Sequence, residues 1–300
     1  MKQMKTFLTI IAVMMIVSCS TTGGPGMPQN GEGPRPKVAL VLGGGAARGF
    51  AHVGVIRILE QERIPVDLIV GTSVGSLIGA IYASDRNSFE LEWTAFSLEK
   101  DQFFDYGIFN AFTGMGPAKG EKLEEFMKGK VAAKDFDQLK IPFAAVATDL
   151  NRGTRVVLDR GPVARAVRAS CSIPGIFEPV KHQDKLLVDG GVVDNIPIDV
   201  AREKGADVVI AVDISGHITN FDITNVVDVV FQATNIMFNE NVKSRKKDAD
   251  VLIRPRVGDV GMLDFTQKKR CMQAGMDAAR EALPEIKKKM EEWAQRQAGK

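Results

Sequence analysis

The pentapeptide Gly71-Thr72-Ser73-Val74-Gly75 follows an apolar, strand-like segment and precedes a helix-like segment. This is the setting of a nucleophile elbow, a G-x-S-x-G turn that exposes a serine hydroxyl between a strand and a helix. Gly71 and Gly75 allow a tight turn, and the N-terminus of the next helix favours developing negative charge. Because so short a pattern also arises by chance, it predicts Ser73 only as a candidate nucleophile.

A second turn of small residues, 43–49, also joins a strand to a helix. Its backbone N–H groups are free to point at an anion. A dinucleotide site requires G-x-G-x-x-G, but Arg48 or Phe50 stands where the last glycine should be, and the Gly-Lys-Ser/Thr end of a phosphate-binding loop is missing. An oxyanion hole near Ser73 fits better, because each such donor contributes roughly 3 kcal/mol to catalysis.

A serine nucleophile needs a base, and Asp189 is the first candidate. It ends a short apolar segment and precedes Gly190-Gly191. We therefore expect it at the carboxyl edge of the sheet, where open α/β proteins place active sites. An aspartate before glycines is also a common turn former. The alternative is a triad in the chain order Ser73, Asp189, His217. The sequence holds three histidines, His52, His182 and His217.

Alternating elements must position these residues. Continuous apolar segments predict strands at residues 38–42, 68–70, 142–147, 155–158, 186–188, 207–212 and 250–253. Helical spacing or turn signals predict helices at residues 50–61, 74–83, 163–169, 198–204 and 226–243. This alternation indicates an α/β fold with a mostly parallel sheet flanked by helices.

Two further segments surround this core. Residues 85–140 hold half of the aromatic side chains, so we interpret them as a helical insertion that forms either its own core or the wall of an apolar pocket. Residues 266–296 carry an apolar stripe at helical spacing, which predicts an amphipathic C-terminal helix. Packing on the domain's own surface is the favoured use of that stripe, with membrane or partner contact as the alternative. Pro284 should break or restart the helix.

The N-terminus has the pattern of an export leader. Residues 1–5 are basic and residues 7–17 are apolar, which is too short for the roughly 20 residues of a membrane span. Ile16-Val17-Ser18-Cys19 then resembles the lipobox of bacterial lipoproteins. This resemblance implies a lipid on Cys19 and an anchor in the bacterial cell envelope, at the outer membrane if the cell has one. An ordinary signal peptide or an uncleaved anchor is the alternative.

The predicted domain organisation is therefore a leader at residues 1–18, a Gly/Pro-rich tether at 19–36 and one folded domain at 37–300. Besides Cys19, only Cys171 and Cys271 are present, either as one bridge or as two buried thiols.

Composition excludes several classes of protein. The chain of 300 residues is 45% hydrophobic and 25% charged, which is typical of a globular protein and not of a disordered, collagen-like or polytopic membrane protein. Its formal charge is +2, and Lys2 and Lys5 account for it. The rest of the chain has no electrostatic drive toward nucleic acid. No cysteine or histidine spacing indicates a metal, and we predict no cofactor.

Five motifs in register resemble the patatin-like phospholipase family, in particular its bacterial branch related to neuropathy target esterase. The resemblance extends over about residues 37–265. The motifs are residues 42–55, Gly71-Thr72-Ser73-Val74-Gly75, Thr148-Asp149-Leu150-Asn151-Arg152-Gly153, Ala169-Ser170-Cys171-Ser172-Ile173-Pro174 with Phe177-Glu178-Pro179-Val180, and Asp189-Gly190-Gly191-Val192-Val193-Asp194-Asn195-Ile196-Pro197.

The resemblance implies a lipid acyl hydrolase that cleaves phospholipid or lysophospholipid esters through a Ser-Asp dyad without histidine. Ser73 is then the nucleophile and Asp189 the general base. Three backbone N–H groups form the oxyanion hole, and Arg48 orients their loop. These donors are Gly44, Gly45 and Ala46.

One position departs from the family pattern, because Ala46 replaces a glycine found in many members. Its N–H keeps its place if φ stays negative. Asn195 and Pro197 are expected to support the Asp189 loop. A catalytically silent lipid-binding or scaffold protein on the same fold is the non-enzymatic alternative.

Overall fold

The computed structural model describes residues 35–98, 118–216, 223 and 226–299, and its centre is a mixed eight-stranded sheet. The strands are β1 Val38–Leu42, β2 Leu68–Thr72, β3 Phe143–Asp149, β4 Thr154–Leu158, β5 Val180–His182, β6 Lys185–Asp189, β7 Val208–Val212 and β8 Val251–Ile253. The helices in the described ranges are α1 Phe50–Gln61, α2 Val74–Asp85, α3 Ser88–Ser97, α4 Glu121–Lys130, α5 Val163–Ser170, α6 Ile198–Glu203, α7 Val226–Arg245 and α8 Lys268–Ala298.

The sheet has the strand order β5-β6-β3-β2-β1-β7-β8, with β4 paired to the other edge of β3. The central strands β3, β2, β1, β7 and β8 run parallel, whereas β4, β5 and β6 join by antiparallel pairing. Central strands covered on both faces must be apolar throughout, and every residue of β1, β2 and β7 is buried. The predicted α/β class with a mostly parallel sheet is confirmed.

Two strands meet head-on along one edge of β3. Thr72, the last residue of β2, pairs with Val146, and Asp189, the last residue of β6, pairs with the next residue, Ala147. Because β2 is parallel to β3 and β6 is antiparallel to it, the two carboxyl ends point toward each other. Asp189 therefore lies beside the carboxyl end of β2, as the sequence suggested, but its strand β6 reaches that point from the opposite direction.

The C-terminal helix α8 packs along α1 at a close glycine crossing. A Cβ placed on Gly54 of α1 would lie 2.0 Å from the carbonyl oxygen of Met272, and one on Gly275 of α8 would lie 2.0 Å from that of Ala51. The apolar stripe is thus used within the domain. The break expected at Pro284 does not occur: α8 continues through it.

Burial on both sides of Pro284 accounts for the continuous helix. Ala279, Ile286 and Met290 are all buried in the core. Their packing holds the helix together across the missing N–H of the proline.

The described parts of the insertion contain α3 and α4. Phe136 is buried and stacks on Phe143 of β3 with ring centroids 5.6 Å apart, whereas Phe89 and Trp93 of α3 are 69% and 70% exposed. The aromatic content therefore serves partly as core and partly as surface. Phe96 and Phe126 are half-buried and pack against the core. The other five aromatic residues of the predicted insertion lie outside the described residues; they are Phe103, Phe104, Tyr106, Phe109 and Phe112.

Cys171 and Cys271 are free, buried thiols, so the alternative of a bridge between them is wrong for this structure. The predicted leader, Cys19 and nearly all of the tether lie outside the described residues. Within the described ranges, no helix has both the length and the apolar character needed to span a bilayer.

Candidate active site

Ser73 occupies a sharp turn between β2 and α2. Its backbone has φ 54° and ψ −128°, a conformation that non-glycine residues rarely adopt. The flanking positions must be glycine because a side chain there would collide with backbone atoms. A Cβ at Gly71 would lie 2.5 Å from the carbonyl oxygen of Gly75, and one at Gly75 would lie 2.1 Å from the carbonyl oxygen of Leu42. This is the geometry of the nucleophile elbow that the G-x-S-x-G spacing predicts.

Hydrogen bonds hold this turn in place. The Ser73 N–H donates to Ser170 Oγ at 2.9 Å, and Ser170 Oγ donates to the Val146 carbonyl at 2.6 Å. On the other side, Ser76 Oγ donates to the Ser73 carbonyl at 2.7 Å. Backbone strain of this kind costs about 1–3 kcal/mol and persists only where the surroundings fix it.

Asp189 is fully buried at the end of β6. Its Oδ1 accepts the Gly191 N–H at 2.8 Å, and its backbone carbonyl accepts the Thr148 hydroxyl at 2.9 Å. Its Oδ2 is buried without a hydrogen-bond partner in the described part of the chain. A buried carboxylate oxygen without a hydrogen-bond partner costs free energy. Because no described residue uses this oxygen, it is available to accept a proton from a reacting group.

Burial raises the pKa of Asp189 to about 7. The Ser73 hydroxyl and the Gly191 N–H act in the opposite direction, by stabilising the charged carboxylate, but desolvation is larger. Ser73 is thus the side-chain neighbour close enough to affect the charge of Asp189. A carboxylate with a pKa near neutrality is a far better proton acceptor at pH 7 than an ordinary aspartate.

The glycine turn at residues 43–49 lies against Ser73. A Cβ on Gly44 would be 3.1 Å from Ser73 Cβ. The Gly44 N–H is occupied, since it donates to the Asn195 carbonyl at 3.3 Å and to Asn195 Oδ1 at 3.2 Å. Gly45 and Ala46 make no backbone N–H bond to the described residues. The predicted group of three donors therefore becomes two, Gly45 and Ala46.

Ala46 has φ 50°, so the negative φ assumed for it is wrong. The left-handed conformation explains why glycine suits this position. Arg48 is buried two residues later, and its Nε donates to the Val260 carbonyl at 2.7 Å while its Nη1 donates to Asn235 Oδ1 at 3.4 Å. Arg48 thus ties the turn to two other segments, as an orienting residue would.

The described histidines do not contact Asp189. His52 Nε2 lies 2.8 Å from the Gly43 carbonyl, and burial lowers the pKa of His52 to about 4, so the neutral ring donates there. His182 pairs with Lys185, at the opposite end of β6 from Asp189. His217 lies outside the described residues. Within the same ranges, no group of acidic, histidine or cysteine side chains is arranged to hold a metal ion.

An apolar pocket opens beside Ser73. Two of its walls, Leu98 and Leu123, belong to the insertion, which supports the interpretation of that segment as a pocket wall. Cys171 also lines the pocket, and its Sγ lies 3.9 Å from Ser76 Oγ. Burial raises the pKa of this thiol, which keeps it neutral. A pocket of this character accommodates an acyl chain better than a polar group.

Several residues that hold the two loops together carry no signal in the sequence. The Thr72 hydroxyl donates to the Asp194 carbonyl at 3.0 Å, and Asn241 Nδ2 donates to the Gly191 and Val192 carbonyls, both at 3.0 Å. Ser170 lies in one of the five motifs, but its contact with Ser73 joins residues that are far apart in the chain. No local spacing signals such contacts.

Comparisons with known proteins identify the family of this chain. The family model described as patatin-like phospholipase matches residues 40–202. An uncharacterized NTE family protein of Mycobacterium bovis is 37% identical over 183 residues, which cover 60% of this chain and 50% of the relative. Lysophospholipase NTE1 of Scheffersomyces stipitis is 30% identical over 279 residues, which cover 81% of this chain and 18% of the relative.

The crystal structure of VipD from Legionella pneumophila matches with a TM-score of 0.58 at 14% identity, covering 84% of this chain and 67% of that chain. This likeness concerns the fold alone. The matched part of the chain spans half of the Mycobacterium relative and less than a fifth of the Scheffersomyces relative. Because the family model matches more than half of the chain and includes both Ser73 and Asp189, the chain belongs to the patatin-like phospholipase family.

Proposed function

We propose that this protein is a serine acyl hydrolase that cleaves the carboxylic esters of phospholipids or lysophospholipids through a Ser73–Asp189 dyad. The observation that carries the proposal is the meeting of three features at one point. The first is the strained backbone of Ser73, and the second is Oδ2 of buried Asp189, which has no hydrogen-bond partner among the described residues. The third is the pair of N–H groups of Gly45 and Ala46, which also have no partner among those residues. All three belong to loops in mutual contact.

The acylation step follows from these positions. Asp189 Oδ2 takes the Ser73 hydroxyl proton while Oγ forms a bond to the ester carbonyl carbon. The N–H groups of Gly45 and Ala46 bind the negative charge that develops on the carbonyl oxygen. When the carbon–oxygen bond to the alcohol breaks, the departing oxygen takes the proton from Asp189. This leaves an acyl group on Ser73.

Deacylation reverses the roles with water. Asp189 takes a proton from the water as its oxygen attacks the acyl carbon, and the same two N–H groups stabilise the oxyanion. The bond to Ser73 Oγ then breaks, and the proton returns to that oxygen. The carboxylic acid leaves, and both residues regain their starting states.

Lipid substrates are favoured by the apolar pocket at Ser73, whose walls include Leu77, Leu123 and Phe177. The phospholipase name of the family and the lysophospholipase name of the Scheffersomyces relative support the same substrate class.

Two variants test the dyad directly. We expect Asp189→Asn to reduce ester hydrolysis by about 10³-fold or more, because the general base is lost, while His217→Ala keeps most of the activity. Ser84→Ala is the matched control, since the Ser84 hydroxyl is buried without a partner in the described residues. Loss of activity in His217→Ala alone would favour a Ser-Asp-His triad. Inactive but folded wild-type protein would favour a lipid-binding scaffold.

Location at a membrane is part of the proposal. Cys19 at the end of a lipobox-like sequence supports a lipid anchor in the bacterial cell envelope. Such an anchor would keep the hydrolase next to its substrate, and the Gly/Pro-rich tether would give it reach. Net charge need not provide the attraction.

A further inference from the structure

Three residues that line the apolar pocket beside Ser73 belong to separate parts of the chain. Phe50 is the first residue of α1, Leu98 follows the last residue of α3, and Phe265 lies three residues before α8. Phe50 and Leu98 are buried, and the Phe50 ring meets the Phe265 ring edge-on with centroids 6.1 Å apart. The width of the pocket at this wall therefore depends on contacts between elements that are far apart in the sequence.

Lys268, the first residue of α8, makes such contacts behind the wall. Its Nζ donates to the Leu98 carbonyl and, at 3.2 Å, to the Phe96 carbonyl, both at the C-terminal end of α3. The same ammonium group lies over the Phe50 ring, 5.8 Å from its centroid. Lys268 is half-buried and is not among the described residues that line the pocket. One charged group therefore connects two parts of the wall from outside the pocket.

The charge of Lys268 stabilises α3 and not the helix that carries it. Carbonyl groups in the last turn of a helix lack partners within the helix, and a cation there is favourable because the helix C-terminus carries partial negative charge. At a helix N-terminus a cation is unfavourable, and the first turn of α8 contains no acidic residue that would offset it. The free energy that Lys268 contributes therefore comes from α3 and the Phe50 ring, both at the pocket wall.

We propose that Lys268 is a positioning residue for the acyl pocket, because it holds Leu98 and Phe50 at the spacing that binds a long acyl chain. Without the ammonium group, two carbonyl groups of α3 lose a donor and the Phe50 ring loses a contact, so the wall moves away from the chain. The inference rests on the proposed function, since it assigns the pocket to the acyl group of an ester. It adds a determinant of chain-length preference that does not touch the substrate.

The kcat/KM for p-nitrophenyl decanoate, divided by that for p-nitrophenyl acetate, tests this role. An acetyl group is too short to fill the pocket, whereas a decanoyl chain must lie along its walls. Lys268→Met keeps the length of the side chain and removes its charge. We expect it to lower the ratio about tenfold, which corresponds to losing the contacts of roughly two buried methylene groups. Partial unfolding would reduce activity on both esters alike and leave the ratio unchanged.

Two further variants complete the design. Lys269→Met removes the neighbouring lysine, which is exposed, and its ratio should equal that of the wild type. Lys268→Arg keeps the positive charge, the N–H donors and the ability to face an aromatic ring, so its ratio should stay within about threefold of the wild type. Far-ultraviolet circular dichroism on heating checks that each variant is folded.

Binding of a fatty acid separates this inference from the proposed function, because binding needs no hydrolysis. The affinity of Ser73→Ala for the fluorescent fatty acid cis-parinaric acid should fall about tenfold when Lys268→Met is added and stay constant when Lys269→Met is added. This result together with a folded wild type that cleaves neither ester would contradict the proposed function and support the pocket wall.

Three results would overturn the inference. The first is a folded Lys268→Met variant that keeps the wild-type ratio or, in the Ser73→Ala background, the affinity for the fatty acid. The second is a Lys268→Arg variant as impaired as Lys268→Met, since the donors and the charge would then not hold the wall. The third is an equal effect of Lys269→Met, which would make the change a general effect of charge.

Discussion

At the scale of single residues, Ser73 and Asp189 both adopt arrangements that cost free energy in the folded protein. Ser73 has a strained backbone, and Asp189 has a buried carboxyl with one unpaired oxygen. Networks around them support these states: Ser170 and Ser76 bond to the Ser73 backbone, and Thr148 bonds to the backbone of Asp189. Backbone strain and an unsatisfied buried carboxyl on two neighbouring residues are typical of a functional site, where reactivity matters more than stability.

The raised pKa of Asp189, about 7, predicts the pH dependence of the reaction. The base must be ionised, so kcat/KM for a soluble ester should rise about tenfold per pH unit below pH 7 and level off above it. The same rise should persist in His217→Ala, which excludes a histidine as its source. A profile already flat above pH 5 would mean that Asp189 titrates like an ordinary aspartate and that the predicted desolvation is wrong.

Asn195 should position the oxyanion turn. Its side chain bonds to both the N–H and the carbonyl of Gly44, at 3.2 and 3.3 Å, next to the two proposed donors Gly45 and Ala46. We expect Asn195→Ala to reduce kcat by about 10- to 100-fold with little change in KM, because misplaced donors weaken transition-state binding more than substrate binding. Steady-state kinetics on a soluble ester measures this split. An unchanged kcat in a folded variant would show that Gly44 holds its place without Asn195.

At the scale of elements, the local pattern predicted most boundaries to within two residues. The apolar segments, the glycine turns and the glycine that follows the end of α6, Gly205 with φ 81°, are local signals with a direct physical cause. The direction of β6 is different. The sequence pattern of a five-residue apolar strand is the same whether its partner is parallel or antiparallel. The head-on meeting of β2 and β6 could therefore not be predicted.

Tertiary packing also determines whether α8 continues through Pro284. A proline inside a helical pattern locally predicts a break, but the burial of Ile286 and Met290 outweighs the loss of one backbone hydrogen bond. Tertiary contact also reduces the number of candidate donors in the oxyanion turn from three to two. Among the described residues, the Gly44 N–H is occupied by Asn195, which is 151 residues away in sequence. Long-range contacts of this kind leave no periodic signal.

The crossing of α1 and α8 gives a stability prediction. Gly275→Ala would place a methyl group 2.0 Å from the Ala51 carbonyl oxygen, so the helices must separate. We expect it to lower the free energy of unfolding by about 1–3 kcal/mol, as overpacked sites do. Urea denaturation measures the change. Gly129→Ala in α4 is the matched control, because its Cβ meets no atom within 4 Å, and it should be neutral or stabilising. Equal effects of both variants would contradict the crossing.

At the scale of the whole molecule, membrane contact is proposed to come from the N-terminus, where a lipid on Cys19 would tether the chain. The charge of +2 comes from Lys2 and Lys5 of the predicted leader, so the remaining chain has no net electrostatic attraction to an anionic surface. The proposed lipid would provide that attraction instead.

The anchor can be tested in a bacterial host. Cells expressing the full chain and grown with an alkyne-tagged fatty acid should label the wild type and Cys271→Ser but not Cys19→Ser. The reason is chemical: Cys271 is buried, whereas Cys19 follows the lipobox-like sequence. Label retained in Cys19→Ser would place any acyl group elsewhere and remove the basis for an envelope lipoprotein.

The central claim is that Ser73 is a nucleophile activated by the neighbouring buried carboxylate. Reaction of the purified protein with a fluorophosphonate probe, followed by mass spectrometry of the labelled peptide, tests it most directly. We predict one adduct, on Ser73, absent in Ser73→Ala, at least about 100-fold slower in Asp189→Asn and unchanged in Ser84→Ala. Folded wild-type protein that forms no adduct, or that forms it on another serine, would contradict the account.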